Sequence, residues 1–346
     1  MVNDLITLKS GKVNEYLHHI DVKAYGRQRM LSVFFGEFDD GCILIDCGSS
    51  LDIKRGLRYF KKNGIKLSSF KYLITTHHHF DHNGGLWKLF EEIKKHNPEV
   101  KILTNRITKE LLNDYRLHLQ RGMRTYDNLV GSMKPISDEA FKIIEPIPDF
   151  NKNIGNLEIV DKFHVNGSEV KLTIFKTPGH TPDHQSPAFI KDGNLDFIHY
   201  GESAGTIYHE SKLLTMPTSM PIYYNHEKYM ETLDKLIDIV PLYAGFGHFG
   251  LVSGKKHITE LLKEHKTFMK QFREKIVQFY SEKPETKYVL NKVSPLLLTR
   301  TDLSMEHSPV LTGISLGIVY GMMTSLGYRK IPEEELLYYN KFYSSL

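Results

Sequence analysis

A chain of 346 residues, 40% hydrophobic and 25% charged, is long enough to bury a large core as one big domain with a smaller one attached. Its net charge of +4 is mild and both signs are interspersed, which excludes the basic block of a dedicated nucleic-acid binder and indicates no nucleic-acid partner. The opening MVNDLITLKSGK carries no basic stretch followed by an apolar one, so no secretory signal is read and the cytoplasm is the expected location.

Extended patterns begin at 13–20, 30–38 and 42–46, with Asp40-Gly41 as the turn between the last two. The two cysteines, Cys42 and Cys47, lie an odd number of residues apart on one extended run, so they point to opposite faces and no disulfide is expected. A helical stretch over 52–62 leads to an apolar strand at 72–76, which runs straight into His77-His78-His79-Phe80-Asp81-His82. Another helix starts near Gly85, and 100–104 is a further short strand.

From 108 to 149 the pattern changes. A helical stretch over 110–121 and a run broken by Gly131, Pro135, Pro146 and Pro148 predict an insertion or lid over the site. Strands resume at 169–176, 186–190 and 195–200, the last two separated by Asp192-Gly193. In 226–240 the residues Tyr229, Leu233, Leu236, Ile237 and Val240 fall at helical spacing, and a short strand at 241–246 precedes Gly247-His248-Phe249-Gly250. Beyond about 255 the pattern is helical, with a stripe of Ile258, Leu261, Leu262, Phe268, Met269, Phe272 and Ile276. Residues 1–254 are therefore expected to form one domain and 255–346 a helical appendage.

The uncharged segment 308–328 carries Gly313, Gly317 and Gly321 at four-residue spacing, which permits close helix contact, either within the chain or across a homodimer. Thr312, Ser315, Thr324 and Ser325 dilute its apolarity, and Ser308-Pro309 has the form of a helix start in a water-soluble fold. A buried helix is expected here, with no membrane partner.

Imidazole nitrogen and carboxylate oxygen suit zinc and iron. In an extended loop His77 and His79 lie two apart and face the same way, Asp81 and His82 turn toward a neighbouring metal, and His78 points away. H-x-H-x-D-H directly after an apolar strand and before Asn83-Gly84-Gly85 is too specific for a solvated histidine-rich loop.

The segment LITTHHHFDHNGG resembles the signature of the metallo-β-lactamase superfamily, and Thr177-Pro178-Gly179-His180-Thr181-Pro182 is similar to the family's next ligand loop. The resemblance covers about 12–252 and implies a four-layer αββα sandwich, an α/β (α+β) fold, here followed by C-terminal helices. It also implies a first metal held by His77, His79 and His180, a second held by Asp81, His82 and His248, and Glu202 between them. Most members carry Gly-Asp where this chain has Gly201-Glu202, a carboxylate one methylene longer. Asp46, in Ile45-Asp46-Cys47-Gly48, and His184 are implied to orient ligands without touching metal. His199 is read as a core or supporting residue. Tyr223 and Tyr224 are candidates for the substrate pocket, with Tyr115 and His118 as weaker ones.

The implied chemistry is hydrolysis. Two divalent ions, zinc ahead of iron or a mixed pair, generate a bridging hydroxide, and Asp81 orients it and passes its proton to the leaving group. A small-molecule ester, lactone or thioester is the expected substrate. The alternatives are a phosphodiesterase and an iron-dependent redox or sensor protein handling oxygen or sulfur on the same fold.

Overall fold

The structure, a computed structural model, describes residues 6–153, 155, 157–304 and 307–343. Strands β1 (Ile6–Thr7), β2 (Gly11–Lys12), β3 (Leu17–Asp21), β4 (Ser32–Phe38) and β5 (Gly41–Ile45) come first, then α1 (Ile53–Lys62), β6 (Phe70–Ile74), the single turn α2 (Phe80–Asn83), α3 (Leu86–Lys94) and β7 (Lys101–Thr104). They are followed by α4 (Arg106–Asn113), α5 (Arg116–Tyr126), β8 (Phe141–Ile143), β9 (Asp161–Val165), β10 (Ser168–Lys176), β11 (Gln185–Lys191) and β12 (Asn194–His199). The remaining elements are α6 (His226–Asp238), β13 (Tyr243–Gly245), β14 (Leu251–Ser253), α7 (Lys255–Glu282), α8 (Thr286–Leu298), α9 (Ser308–Ser325) and α10 (Glu333–Tyr343).

Two seven-stranded sheets result, ordered β2-β3-β4-β5-β6-β7-β8 and β1-β14-β13-β12-β11-β10-β9. Alternation along the strands explains why they stack. Phe34, Ile43, Ile45 and Ile74 of the first sheet meet Leu172, Ile174, Phe189 and Phe197 of the second in one buried cluster. The intervening Val33, Phe35, Leu44 and Leu73 face outward, into a cluster shared with Ile53 and Phe60 of α1 and Leu86 and Leu89 of α3. Burying each such side chain contributes roughly 1.5–3 kcal/mol. The architecture is the αββα sandwich, with helices following it.

Several details differ from the sequence reading. The β4–β5 turn is Asp39-Asp40, because Phe38 pairs with Gly41. The expected Asp192-Gly193 turn, by contrast, is found: Lys191 pairs with Asn194, and the two residues take φ of 50° and 73°, the left-handed pair that a two-residue turn demands. The helix expected over 110–121 is broken after Asn113, whose side chain bonds both the amide and the carbonyl of Ile136; α5 thereby starts in a new direction. β8, within the expected lid, pairs with β7 and extends the first sheet. Cys42 and Cys47 are both buried and free. The strand ends at Ile45 and Asp46 takes a left-handed φ of 58°, so strict alternation does not carry through to Cys47.

The C-terminal helices close over the sandwich. Ile258, Leu262 and Phe272 of α7, Val293 of α8 and Ile318 of α9 belong to the same contiguous buried cluster as α1 and α3. On α9 a Cβ at Gly321 would fall 2.0 Å from the Ser219 carbonyl oxygen, and one at Gly317 2.6 Å from the Met220 sulfur. Gly317 and Gly321 are thus covered by Ser219 and Met220 of the same chain, and Gly313 by Thr125 and Tyr126 of α5. Among the described residues no helix is long and apolar enough to cross a membrane.

Candidate metal centre

The ends of β5, β6, β10, β12 and β13 point to one place, and the loops that follow them carry Asp46, His77, His180, Glu202 and His248. Oε2 of Glu202 lies 3.3 Å from His77 Nε2, 3.7 Å from His79 Nδ1 and 2.8 Å from His180 Nε2. His180 Nε2 is in turn 3.1 Å from His79 Nδ1. Beside this group, His248 Nε2 is 3.3 Å from His82 Nε2 and 3.6 Å from Asp81 Oδ2. Glu202 touches this second group too, through Oε2 at 3.4 Å from His82 Nε2 and Oε1 at 3.7 Å from His248 Nε2. The longer carboxylate therefore sits between both groups.

These side chains fit metal ions. Donors about 2.0–2.2 Å from a tetrahedral ion lie roughly 3.3–3.6 Å from one another, close to the separations found. Four of the five histidines have an anchor on the remote ring nitrogen: His77 Nδ1 the Thr76 hydroxyl at 2.9 Å, His82 Nδ1 the Asp46 carboxylate at 3.2 Å, His180 Nδ1 the Thr218 carbonyl at 2.6 Å and His248 Nδ1 the Met30 carbonyl. Such anchors fix the tautomer and turn the Nε2 lone pair inward. His77 Nε2 is buried without a hydrogen-bond partner, an orphan that a cation would satisfy.

Electrostatics agree. Burial, then His82 and His79, pushes His77 well below its ordinary value, and burial brings His79 down to about 4, so both stay neutral donors. Burial opposes ionisation of Glu202, yet His180, His77 and His79 hold it well below the carboxylate range. Burial also opposes a charge on His82, but Asp81, Asp46 and Glu202 raise it well above its usual value. The carboxylates demand positive charge, and a proton on His82 answers the same demand as a metal ion.

Around the donors lies a bonded shell. Asp46 accepts from the Thr76 amide at 2.8 Å, the Thr76 hydroxyl at 2.7 Å and Asn83 Nδ2 at 2.7 Å, besides facing His82. His184 bonds the Thr177 hydroxyl through Nδ1 at 2.8 Å and accepts the Glu202 amide at Nε2, 3.1 Å away. Gly201 makes this approach with a φ of 53°; a Cβ there would lie 2.7 Å from His184 Nε2. His199 stands behind Asp46, with Nε2 3.5 Å from Oδ2. His78 turns away and meets Asp183 Oδ1 at 3.0 Å. It also lies near His79 and His118, but His118 Nε2 already accepts the Phe80 amide at 3.1 Å, so that trio lacks the free lone pair a third metal would need.

A chain of polar groups ties this centre to α7. The Thr218 hydroxyl donates to the Glu202 carbonyl at 2.7 Å, and the Tyr229 hydroxyl lies 3.2 Å from Thr218 Oγ1 and 2.8 Å from His265 Nε2. Burial, then Arg300, pushes His265 down to about 3, so it is a neutral link, closed on its far side by Thr215 at 2.7 Å.

A cavity of about 210 Å³ opens onto His79, Asp81, Glu202 and His248, and α5 and α9 supply much of its wall. His118 lines it, stacked on His79 with ring centroids 5.1 Å apart. Tyr223 and Tyr224, expected at the substrate pocket, do not line this cavity. Tyr224 is fully buried, with its hydroxyl 3.1 Å from His226 Nδ1, and Tyr223 lines a small cleft behind His78. The cis peptide Pro221–Ile222 lies just before them in the same loop. Tyr115 packs against the outer apolar cluster. Residues the sequence reading missed take these places: Tyr25, whose hydroxyl is 3.3 Å from Asp81 Oδ2, and Tyr126, Tyr208, Ile314 and Tyr320. Tyr25 holds a left-handed φ of 55°, uncommon outside glycine and frequent at functional sites, but no local sequence pattern announces it.

A family model described as the metallo-beta-lactamase superfamily matches residues 28–248. The chain is 26% identical over 234 residues to the metallo-beta-lactamase fold-containing protein ST1585 of Sulfurisphaera tokodaii, covering 64% of this chain and 78% of that one. The crystal structure of ST1585 from Sulfolobus tokodaii superposes with a TM-score of 0.61 at 22% identity, over 89% of this chain and 98% of that one. A hydroxyacylglutathione hydrolase of Idiomarina loihiensis is 33% identical over 75 residues, 20% of this chain and 27% of its own.

Proposed function

The chain belongs to the metallo-β-lactamase superfamily, and from that premise we propose that it is a hydrolase with a binuclear metal centre that opens a small ester, lactone or thioester in the cytoplasm. The observation that carries this reading is Glu202, whose carboxylate reaches His77, His79 and His180 on one side and His82 and His248 on the other. Held by those side chains, divalent ions would supply Lewis acidity that ionises water near neutral pH and stabilises negative charge on a carbonyl oxygen. Asp81 faces the cavity, orients the attacking water, accepts its proton and delivers it to the leaving group. Tyr25 donates to Asp81 Oδ2 and holds the carboxylate in place. No side-chain nucleophile is required.

Zinc is the expected metal, since neutral imidazoles and carboxylates suit it and hydrolysis needs no redox change. The hydrolase among the similar proteins also favours hydrolysis. The test is plasma mass spectrometry and a visible spectrum of protein purified without added metal, followed by ester, lactone, thioester and phosphodiester assays. Near two zinc per chain, no colour and cleavage of a carboxylic substrate are expected. Two iron with an oxygen-responsive absorption band and no hydrolysis would replace this reading with redox chemistry, and cleavage of phosphodiesters alone would replace the substrate class.

A further inference from the structure

Resting on that hydrolase reading, we propose that the substrate's acyl group is uncharged and aromatic or branched-apolar, and that the wall made by α5 and α9 selects it.

The first observation is the surface presented to a ligand. Above the metal-binding floor the wall includes Tyr25, Phe80, Tyr126, Tyr208, Ile314 and Tyr320, with His118, Thr125 and Thr206 as neutral polar neighbours. Three of the rings are in mutual contact, with centroids 5.1 Å apart for Tyr25 and Tyr126 and 6.0 Å for Phe80 and Tyr126, while Tyr208 lies 5.9 Å from the His248 ring of the floor. Two glycines bring them in. A Cβ on Gly122 of α5 would fall 2.9 Å from Phe80 Cε1, and one on Gly313 of α9 3.0 Å from Tyr126 Cε1. At about 210 Å³ the cavity lies below the ~300–1,000 Å³ of pockets for drug-sized ligands, so it suits one ring or a short branched chain.

The second observation is charge. Of the described residues lining the cavity, Asp81, Glu202 and Arg121 carry formal charge. The carboxylates belong to the floor. Arg121 is held by Glu335, itself nearly buried, with Nη1 2.7 Å from Oε2, so its charge is already answered. A carboxylate or phosphate on the acyl group would be stripped of water against tyrosine, isoleucine and methionine without a free counter-ion on the wall. A flat neutral ring meets complementary aromatic faces instead.

The reaction on such a substrate balances with water alone. Water oxygen bonds to the acyl carbon, the acyl C–O or C–S bond breaks with its electron pair on the departing oxygen or sulfur, and that atom takes the proton. The product acid ionises at neutral pH, which makes it a poor fit to the same wall and favours its departure.

The test uses the full chain with its metal content measured and two matched thioesters of N-acetylcysteamine, one benzoyl and one 4-carboxybenzoyl, together with the two non-hydrolysable amides. The neutral thioester should show kcat/KM at least about tenfold higher, and benzamide should bind at least about tenfold more tightly by calorimetry than its carboxylated analogue. Leu316→Lys, at a half-buried position on the α9 wall, should narrow or invert both ratios. If neither thioester is cleaved while benzamide keeps its advantage, the hydrolase reading fails and the cavity assignment stands. Equal or tighter binding of the carboxylated amide, or no binding of either amide, overturns the assignment whatever the turnover.

Discussion

The floor of the cavity and its walls are built differently. Floor residues follow strand ends, and His77, His82 and His180 are fully buried with each remote ring nitrogen bonded. Wall residues sit on α2, α5, α9 and the loops that carry Tyr25 and Tyr208; Leu316, Gly317 and Tyr320 are only half-buried. A donor at a strand end is fixed by the hydrogen-bonded ladder beneath it and by its anchor, so an error of an ångström loses the metal. A helix face held by side-chain packing exchanges one apolar group for another at modest cost. Substitutions in the floor should therefore remove the chemistry, and those in the wall should redirect it.

The largest expected effect is on the floor. In a His77→Ala, His79→Ala double variant bound metal and hydrolysis should both fall to background, read by plasma mass spectrometry and assay on the same sample; full metal content and activity would dissolve the contrast between floor and wall. Next comes Asp46→Asn, which touches no metal but removes the charge behind His82. Metal affinity should drop ~10–100-fold, measured by chelator competition.

His78 separates position in sequence from position in the floor. His78→Ala should keep its metals and lose about 1–3 kcal/mol in denaturant unfolding, the cost of removing one hydrogen-bond partner from a buried carboxylate that Thr108 still bonds at 3.0 Å. Although burial opposes it, His78 and the Thr181 contact hold Asp183 well below the ordinary aspartate value. That stabilisation is complete above the unfolded value of about 3.9 and is lost as pH falls through the lower folded value, so Asp183→Asn should flatten the acid limb of a stability–pH curve.

The smallest effect sharpens where the floor ends. Tyr229→Phe removes the hydroxyl between Thr218 and His265 and should cost about 1 kcal/mol. It should also shift the visible spectrum of the cobalt-substituted protein, since Thr218 bonds both His180 and Glu202. An unchanged cobalt spectrum would cut α7 off from the centre.

Most of the sandwich was legible in the sequence because strand alternation and helical spacing are local signals. Short strands such as β1, β2 and β14, two or three residues long, were missed because so few residues establish no period. The break between α4 and α5 was missed because its cause is a bond from Asn113 to Ile136, remote in sequence. At the site, the spacing in HHHFDH already separates His78 from His77 and His79, but α2 winds one turn there, so Asp81 and His82 reach the second group from a helix instead of an extended loop.

By itself the sequence determined the division of the HHHFDH motif into inward and outward residues, which rests on spacing within a few positions, while the αββα sandwich and the candidate donor set with Glu202 at its middle entered through the resemblance to the superfamily. Only the tertiary structure decided which Glu202 oxygen reaches which histidine, that His265 reaches the centre through Tyr229 and Thr218, and that Tyr25 and α9 make the wall in place of Tyr223 and Tyr224. Those contacts join residues tens to hundreds of positions apart. Their distances are set by how whole sheets and helices pack, which no local period encodes.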